Sequence, residues 1–259
     1  MLATRVLSAL VLAPPTLLAI YLGSPYFPLL LALAAALMAW EWERLCGGRF
    51  SPVGGVIAAS GVAVAALGGL APAWGGAAIA VCVGLVGLLT RGAKSPGALW
   101  MVAGVPYIAV PVLALAWLRA DAGYVPVFWL MAVVWGTDIG AYAAGRSIGG
   151  PLLAPRVSPK KTWSGLGGGV VAAFAVGAAT GMALGTAWAP LALVSACLAV
   201  VAQAGDLAES AVKRHFGVKD ASSLIPGHGG LLDRVDGIMT VAPAVVLLHL
   251  VAGGLFPWR

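Results

Sequence analysis

Charge is scarce in this chain. Of its 259 residues nine are acidic and fifteen basic, 9% in all, where a soluble globular domain carries about 25%. So small a stock cannot cover a water-facing surface, so no separate soluble domain is expected. Cysteine is also rare. Cys46, Cys82 and Cys197 stand far apart, odd in number and without metal-ligand spacing. That argues against a disulfide scaffold and a zinc centre, and leaves them as buried thiols without a catalytic role. No low-complexity tract, long internal repeat or soluble linker interrupts the chain, and its polar residues crowd into the second half. The matched broken helices of an inverted-repeat transporter are therefore missing.

What is there is apolar surface, at 61% of residues. Nine runs approach the length that crosses a bilayer as helix, about 17–25 residues: 5–22, 27–43, 53–71, 75–90, 98–118, 125–144, 166–187, 190–206 and 237–256. The first has one early Arg, contains Pro14-Pro15 and lacks a small-x-small cleavage site, so it reads as a retained helix and not a signal peptide. The net charge is +6. With nine spans and an internal N-terminus, thirteen of the fifteen Lys and Arg residues fall on the cytoplasmic side, and only Arg119 and Arg259 fall outside. That asymmetry is the positive-inside pattern. It accounts for the basicity without a nucleic-acid face and leaves room for a polyanionic substrate. The expected fold is all-α: a polytopic integral membrane protein of about nine transmembrane helices, N-terminus cytoplasmic. Residues 1–95 would form N-terminal hydrophobic helices, and 96–259 a bundle carrying functional loops at 145–165 and 205–236.

The stretch 205–236 holds five of the nine acidic residues, four basic ones and two of three histidines. Asp206, Glu209, Ser210 and Lys213 are spaced i, i+3, i+4, i+7, one face of a helix. Asp233 and Asp236 repeat the i, i+3 spacing around Arg234, just after Gly229-Gly230. A glycine pair lets backbone approach a ligand closely or take φ > 0. Topology explains basic residues such as Lys213, Arg214 and Lys219, but not carboxylates, which are costly near hydrocarbon. Carboxylates with lysines, an arginine and His228 suit a hard cation with phosphates; Mg²⁺ commonly takes one or two carboxylates and completes its shell with water and phosphate oxygens.

Three further features stand out. Asp138 lies in an otherwise apolar run between Gly136 and Gly140; it is either a site residue or the partner of Arg146 two turns on. Ser158-Pro159 reads as an N-cap followed by Pro at the first helical position, which would present free N–H groups beside Lys160, Lys161 and Thr162. That combination suits a di- or triphosphate, although it is not a Walker A loop. Gly165, Gly169, Ala173, Gly177, Gly181 and Gly185 recur every fourth position and predict a smooth stripe for close helix packing. The Glu41-Trp42-Glu43-Arg44 cluster reads most simply as an interfacial anchor, a reach of either glutamate into a site being the less favoured reading. His249 reads as structural.

Ser210-x-x-Lys213-Arg214, Lys219-Asp220 and Pro226-x-His228-Gly229-Gly230-x-x-Asp233-Arg234-x-Asp236, 27 positions with fixed gaps, resemble the signature of phosphatidate cytidylyltransferases. Gly205-Asp206-Leu207-x-Glu209-Ser210, Ser158-Pro159-Lys160-Lys161-Thr162 and the Asp138 segment are similar to that family too. The likeness covers 136–236 closely; upstream it extends only to hydrophobicity. One departure is Ser164, where the family loop usually carries an acidic residue. The resemblance implies CTP + phosphatidate → CDP-diacylglycerol + pyrophosphate, in phospholipid biosynthesis, with Mg²⁺ and room for a second cation. It implies catalytic roles for Asp206, Asp233, Asp236, Lys213, Arg234 and His228, the three aspartates holding metal. Ser158, Lys160, Lys161, Thr162, Asp138, Glu209, Ser210, Arg214, Lys219, Gly229 and Gly230 would bind substrate. The partners implied are CTP, phosphatidic acid and the lipid bilayer of a bacterial inner membrane, with the active site cytoplasmic, no nucleic acid and a homodimer admitted. A CTP-dependent polyprenol or phytol kinase, an archaeol-type cytidylyltransferase and an ion-coupled transporter remain the alternatives.

Overall fold

The computed structural model describes residues 2–91, 97–227, 229–251, 256 and 258. Nine helices lie among them: α1 Leu2–Leu22, α2 Tyr26–Gly47, α3 Pro52–Leu67, α4 Pro72–Leu89, α5 Ala98–Ala122, α6 Tyr124–Ser147, α7 Trp163–Ala183, α8 Trp188–His215 and α9 Leu232–Val251. Each apolar run has become one helix. The helices differ from the runs where polar residues continue the backbone pattern: α8 extends to His215, and α9 begins five residues early, at Leu232. Six of them, α4 to α9, are long and apolar enough to cross a membrane. Two compact units divide the chain, Met1–Tyr124 with His215–Val235, and Val125–Arg214 with Asp236–Arg259.

In the first unit α3 packs on α2, α4 and α5, and α2 packs on α1 and α5. Small residues permit the close contact: Gly61 abuts Ala35, and Gly104 lies under the Trp42 ring. Side chains at Ile57, Val105, Ile108, Ala35 and Ala39 fill the centre. Arg119 donates from Nε to Ile20 O at 2.6 Å and from Nη2 to Tyr21 O at 2.9 Å. This places a cation on the open carbonyls at the C-terminus of α1, where the helix dipole is negative.

The cluster at the end of α2 is not an interfacial anchor as a whole. Arg44 does lie over the Trp40 ring, 4.9 Å from its centroid. Trp42, however, is buried and donates to Trp100 O at 2.9 Å, and both glutamates are buried. Glu43 accepts from the amide of Ser51 at 2.7 Å and from its hydroxyl, while Ser51 Oγ caps α3 through the amide of Val53. Glu41 turns to the segment before α9. A carboxylate tolerates burial when backbone donors surround it, and here they come from residues distant in sequence.

In the second unit the small-residue stripe is the packing face of α7: Gly165, Gly169, Ala173, Gly177 and Gly181 are its buried residues. A methyl at Gly165 or Gly169 would lie 3.0 Å from Ala141 O or Thr137 O of α6; at Gly177 it would meet Leu191 O of α8 at 2.6 Å. Backbone thus touches backbone along the whole helix. Gly185 is not part of the stripe, because it lies past the helix end with φ +66°. Trp129 ties α6 to α8 by donating to Ser195 Oγ at 3.0 Å, and Ser195 donates in turn to Leu191 O. Of the three thiols only Cys46 is buried; Cys82 is half-buried and Cys197 exposed, on outward helix faces where an apolar side chain is equally at home.

The loop 148–162 adds one short β-hairpin to the all-α architecture. Leu152–Ala154 (β1) and Ser158–Thr162 (β2) pair antiparallel, Leu152 opposite Thr162 and Ala154 opposite Ser158. Val157 N–H bonds Ala154 O at 3.1 Å across a turn with Pro155 second, the place where proline's fixed φ suits a turn. Ser158 is therefore a strand residue and not an N-cap, and Pro159 is not at N1. In a two-stranded ribbon each strand has an open edge, so proline's missing N–H is tolerated. The cap is Thr162, with φ −119° and ψ 159°, its Oγ1 accepting from Gly165 N at 3.0 Å.

Candidate active site

The hairpin, α6, α7 and α8 enclose a cavity of about 380 Å³ in the second unit. Asp138, Lys160, Lys161, Thr162 and Asp206 line it together, so three segments separated by up to 68 positions supply one chamber. Gly145 and Gly165 keep the wall low where α6 meets α7: a methyl on Gly145 would lie 3.0 Å from Thr162 Oγ1. Lys161 Nζ pairs with Asp206 Oδ2 at 2.5 Å. Lys160 is exposed at the opening. Arg146 donates to the Tyr142 hydroxyl at 3.3 Å. Ser164 hydrogen-bonds Thr162 Oγ1 and donates to Gly149 O at 2.5 Å. The residue that departs from the family pattern thus pins the turn before the hairpin to the start of α7. The first amides of α7 are partly committed, Trp163 N to Pro151 O and Gly165 N to Thr162 Oγ1.

On α8 the i, i+4 spacing produces two pairs. Ser210 Oγ donates to Asp206 Oδ1 at 3.3 Å, and Lys213 Nζ lies 3.1 Å from Glu209 Oε1. The second pair is buried, with side chains 8% and 1% exposed; Lys213 is thus not a solvated topology signal. Asp236 on α9 accepts from its neighbour's amide, Gly237 N, at 2.7 Å, and the charges of Asp206, Glu209 and Asp138 bear on it. Among the described residues no set of three or more His, Cys, Asp or Glu side chains is arranged to hold a metal ion by itself. Mutually repelling carboxylates nevertheless fit a cation that takes one or two protein oxygens and fills its shell from phosphate and water.

The signature loop belongs to the first unit. Asp233 Oδ2 accepts from Ala221 N at 2.9 Å and Gly230 N at 2.8 Å. Ile225 N bonds Gly229 O at 2.8 Å and closes the turn between them. Gly229 takes φ +85°, and a methyl there would lie 2.9 Å from Asp233 Oδ2. Gly230 is pressed by Glu41, whose Oε1 would be 2.7 Å from a methyl. Of the two reasons for a glycine pair, Gly229 shows the positive φ, and the close neighbours of both glycines are carboxylates of the chain. Arg214, Lys219 and Arg234 are exposed. His228 lies outside the described residues.

Sequence reasoning missed Gln203 and Tyr142 as cavity residues. Gln203 stands three residues before Asp206, on the same helical face, which would have pointed to it. It also undervalued Glu41, although a carboxylate within a run of apolar residues is the signal that singled out Asp138.

Apolar helices of spanning length, with lysines and carboxylates gathered in one cavity, define an all-α integral membrane protein equipped for an anionic substrate. The chain belongs to the cytidylyltransferase family, whose model matches residues 3–252. It is 41% identical over 256 residues to the phosphatidate cytidylyltransferase of Brucella suis biovar 1, covering 95% of this chain and 92% of that protein. The phosphatidate cytidylyltransferase of Pseudomonas aeruginosa is 39% identical over 272 residues, 98% of each chain. That of Haemophilus influenzae is 32% identical over 281 residues, 94% of this chain and 96% of the other.

Proposed function

We infer that this chain transfers a cytidylyl group from CTP to phosphatidate, forming CDP-diacylglycerol and pyrophosphate. The observation that carries the reading is the cavity in which Lys160, Lys161 and Asp206 meet; the near full-length relatives narrow the substrates. A phosphatidate oxygen forms the new bond to the α-phosphorus of CTP, and the bond from that phosphorus to the β-phosphate bridging oxygen breaks in line as pyrophosphate leaves. The nucleophile is already ionised, so positioning and charge neutralisation supply the catalysis. Lys160, Lys161 and Arg234 hold the triphosphate. The lipid phosphate approaches from the bilayer side, toward Asp138 and Arg146. His228 donates a hydrogen bond to a phosphate oxygen or organises the loop. Asp206 and Asp236, with Asp233 one turn earlier on α9, are the carboxylates assigned to Mg²⁺ and, if two bind, to a second cation. When bound, such a cation neutralises charge on the transferring phosphates.

We extend the topology in the same sense. The first three helices bring the spans to nine, the N-terminus is cytoplasmic, and the catalytic face lies on the cytoplasmic side of a bacterial inner membrane, as the thirteen-to-two charge division supports. A homodimer is compatible with this reading, and no nucleic acid enters it. The test is transfer of label from α-labelled and γ-labelled CTP into lipid by purified protein, with and without Mg²⁺. Label from the α position alone in a CDP-lipid supports the reading. Label from the γ position in a phospholipid product would indicate a kinase, and no transfer from either would leave a transporter.

A further inference from the structure

The geometry assigns Glu41, at the end of α2, as a positioning residue for the catalytic loop and the start of α9. This rests on the function proposed above. Glu41 is fully buried, and among the described residues the donors to its carboxylate all come from one segment, 222–232. Oε1 accepts from Ser222 Oγ at 2.6 Å and Leu231 N at 2.8 Å, and Oε2 accepts from Leu232 N at 2.8 Å. Leu232 is the first residue of α9, so the carboxylate caps that helix from 191 positions away, at the end where the dipole favours an anion. The hydroxyl of Ser222 passes the constraint on by accepting from Leu224 N at 3.1 Å.

Two carboxylates thereby pin both ends of one segment. Asp233 holds Ala221 and Gly230; Glu41 holds Ser222, Leu231 and Leu232. Gly230 has no room for a side chain because Glu41 lies against it, which explains the second glycine of the pair within the protein itself. The first turn of α9 that this fixes is the one bearing Asp233 and Arg234. A carboxylate is suited to the task because both its oxygens only accept, and three donors converge on it. An amide would turn one NH₂ group against a backbone N–H.

The experiment compares Glu41→Gln with Glu43→Gln in the full-length protein in detergent or nanodiscs. Glu43 is an equally buried glutamate, but it serves the α2–α3 connection. Glu41→Gln should lower kcat by about 10- to 100-fold, the scale of a small misplacement of reacting groups, with KM for both substrates changed far less. Amide exchange should accelerate at Ala221 and Gly230–Leu232. Glu43→Gln should reduce thermal stability yet retain kcat per folded molecule and normal exchange at those amides. Should Glu41→Gln fail to fold, Ser222→Ala removes one of the three donors, and it should show the same exchange signature with a smaller kcat loss. Full kcat in folded Glu41→Gln, or unchanged exchange in 221–232, would overturn the assignment. Absence of CDP-lipid synthesis by the unaltered protein would instead sink the functional reading, while the exchange measurement still decides the role of Glu41.

Discussion

Replacing Lys161 by Met separates its two possible duties. Its Nζ lies 2.5 Å from Asp206 Oδ2, and the two side chains are 19% and 27% exposed. Nζ itself is shut off from solvent, so the apolar Met removes a desolvated charge while Asp206 stays partly hydrated, a net change of about 1 kcal/mol or less, and the variant should remain folded. The same ammonium on a triphosphate makes a charge-assisted hydrogen bond worth roughly 1.5–3 kcal/mol. At about 1.4 kcal/mol per factor of ten, the expected loss is roughly ten- to hundredfold in apparent KM for CTP. The binding effect thus exceeds the stability effect. Initial rates in mixed micelles, with CTP varied at fixed phosphatidate and then the reverse, should show the KM for CTP rising while that for lipid moves far less. Intrinsic tryptophan fluorescence follows unfolding in the same preparation. Lys160→Met should shift KM for CTP in the same direction. An unchanged KM for CTP with a raised KM for phosphatidate would refute the assignment and move these lysines to the lipid headgroup.

Asn at Asp206, Asp233 or Asp236 should abolish turnover while the protein stays folded by size-exclusion chromatography; near-normal activity in all three would sink the cation assignment. Gly177→Ala forces a methyl to 2.6 Å from Leu191 O and 2.8 Å from Ala192 Cα. Backbone cannot yield, and overpacking of about 1–3 kcal/mol outweighs the roughly 0.5–1 kcal/mol that alanine gains in a helix. Thermal unfolding should therefore fall for Gly177→Ala but not for Gly167→Ala, where nothing lies within 4 Å. With nine spans a single cysteine at position 259, in a cysteine-free background, should be labelled from the outer side of intact cells; labelling only after permeabilisation would show the span count to be off by one.

The helices were legible because hydropathy is a local property. A run of apolar residues long enough for a bilayer must satisfy its own backbone, and a helix does so within the run; hence nine runs and nine helices among the described residues. The α7 stripe was legible for the same reason, since a four-residue period places its glycines on one face whatever lies opposite. The shared face of Asp206, Glu209, Ser210 and Lys213 likewise follows from spacing alone. Tertiary structure decided what spacing cannot carry. Ser158-Pro159 satisfies the local rules for a helix start, but pairing with Leu152–Ala154 draws the segment into a strand and passes the cap to Thr162. Glu41 looks like an anchor until the chain returns 181–191 residues later with donors for both its oxygens. Local propensity follows from a residue and its near neighbours, whereas a buried carboxylate depends on whichever distant backbone amides the fold delivers to it.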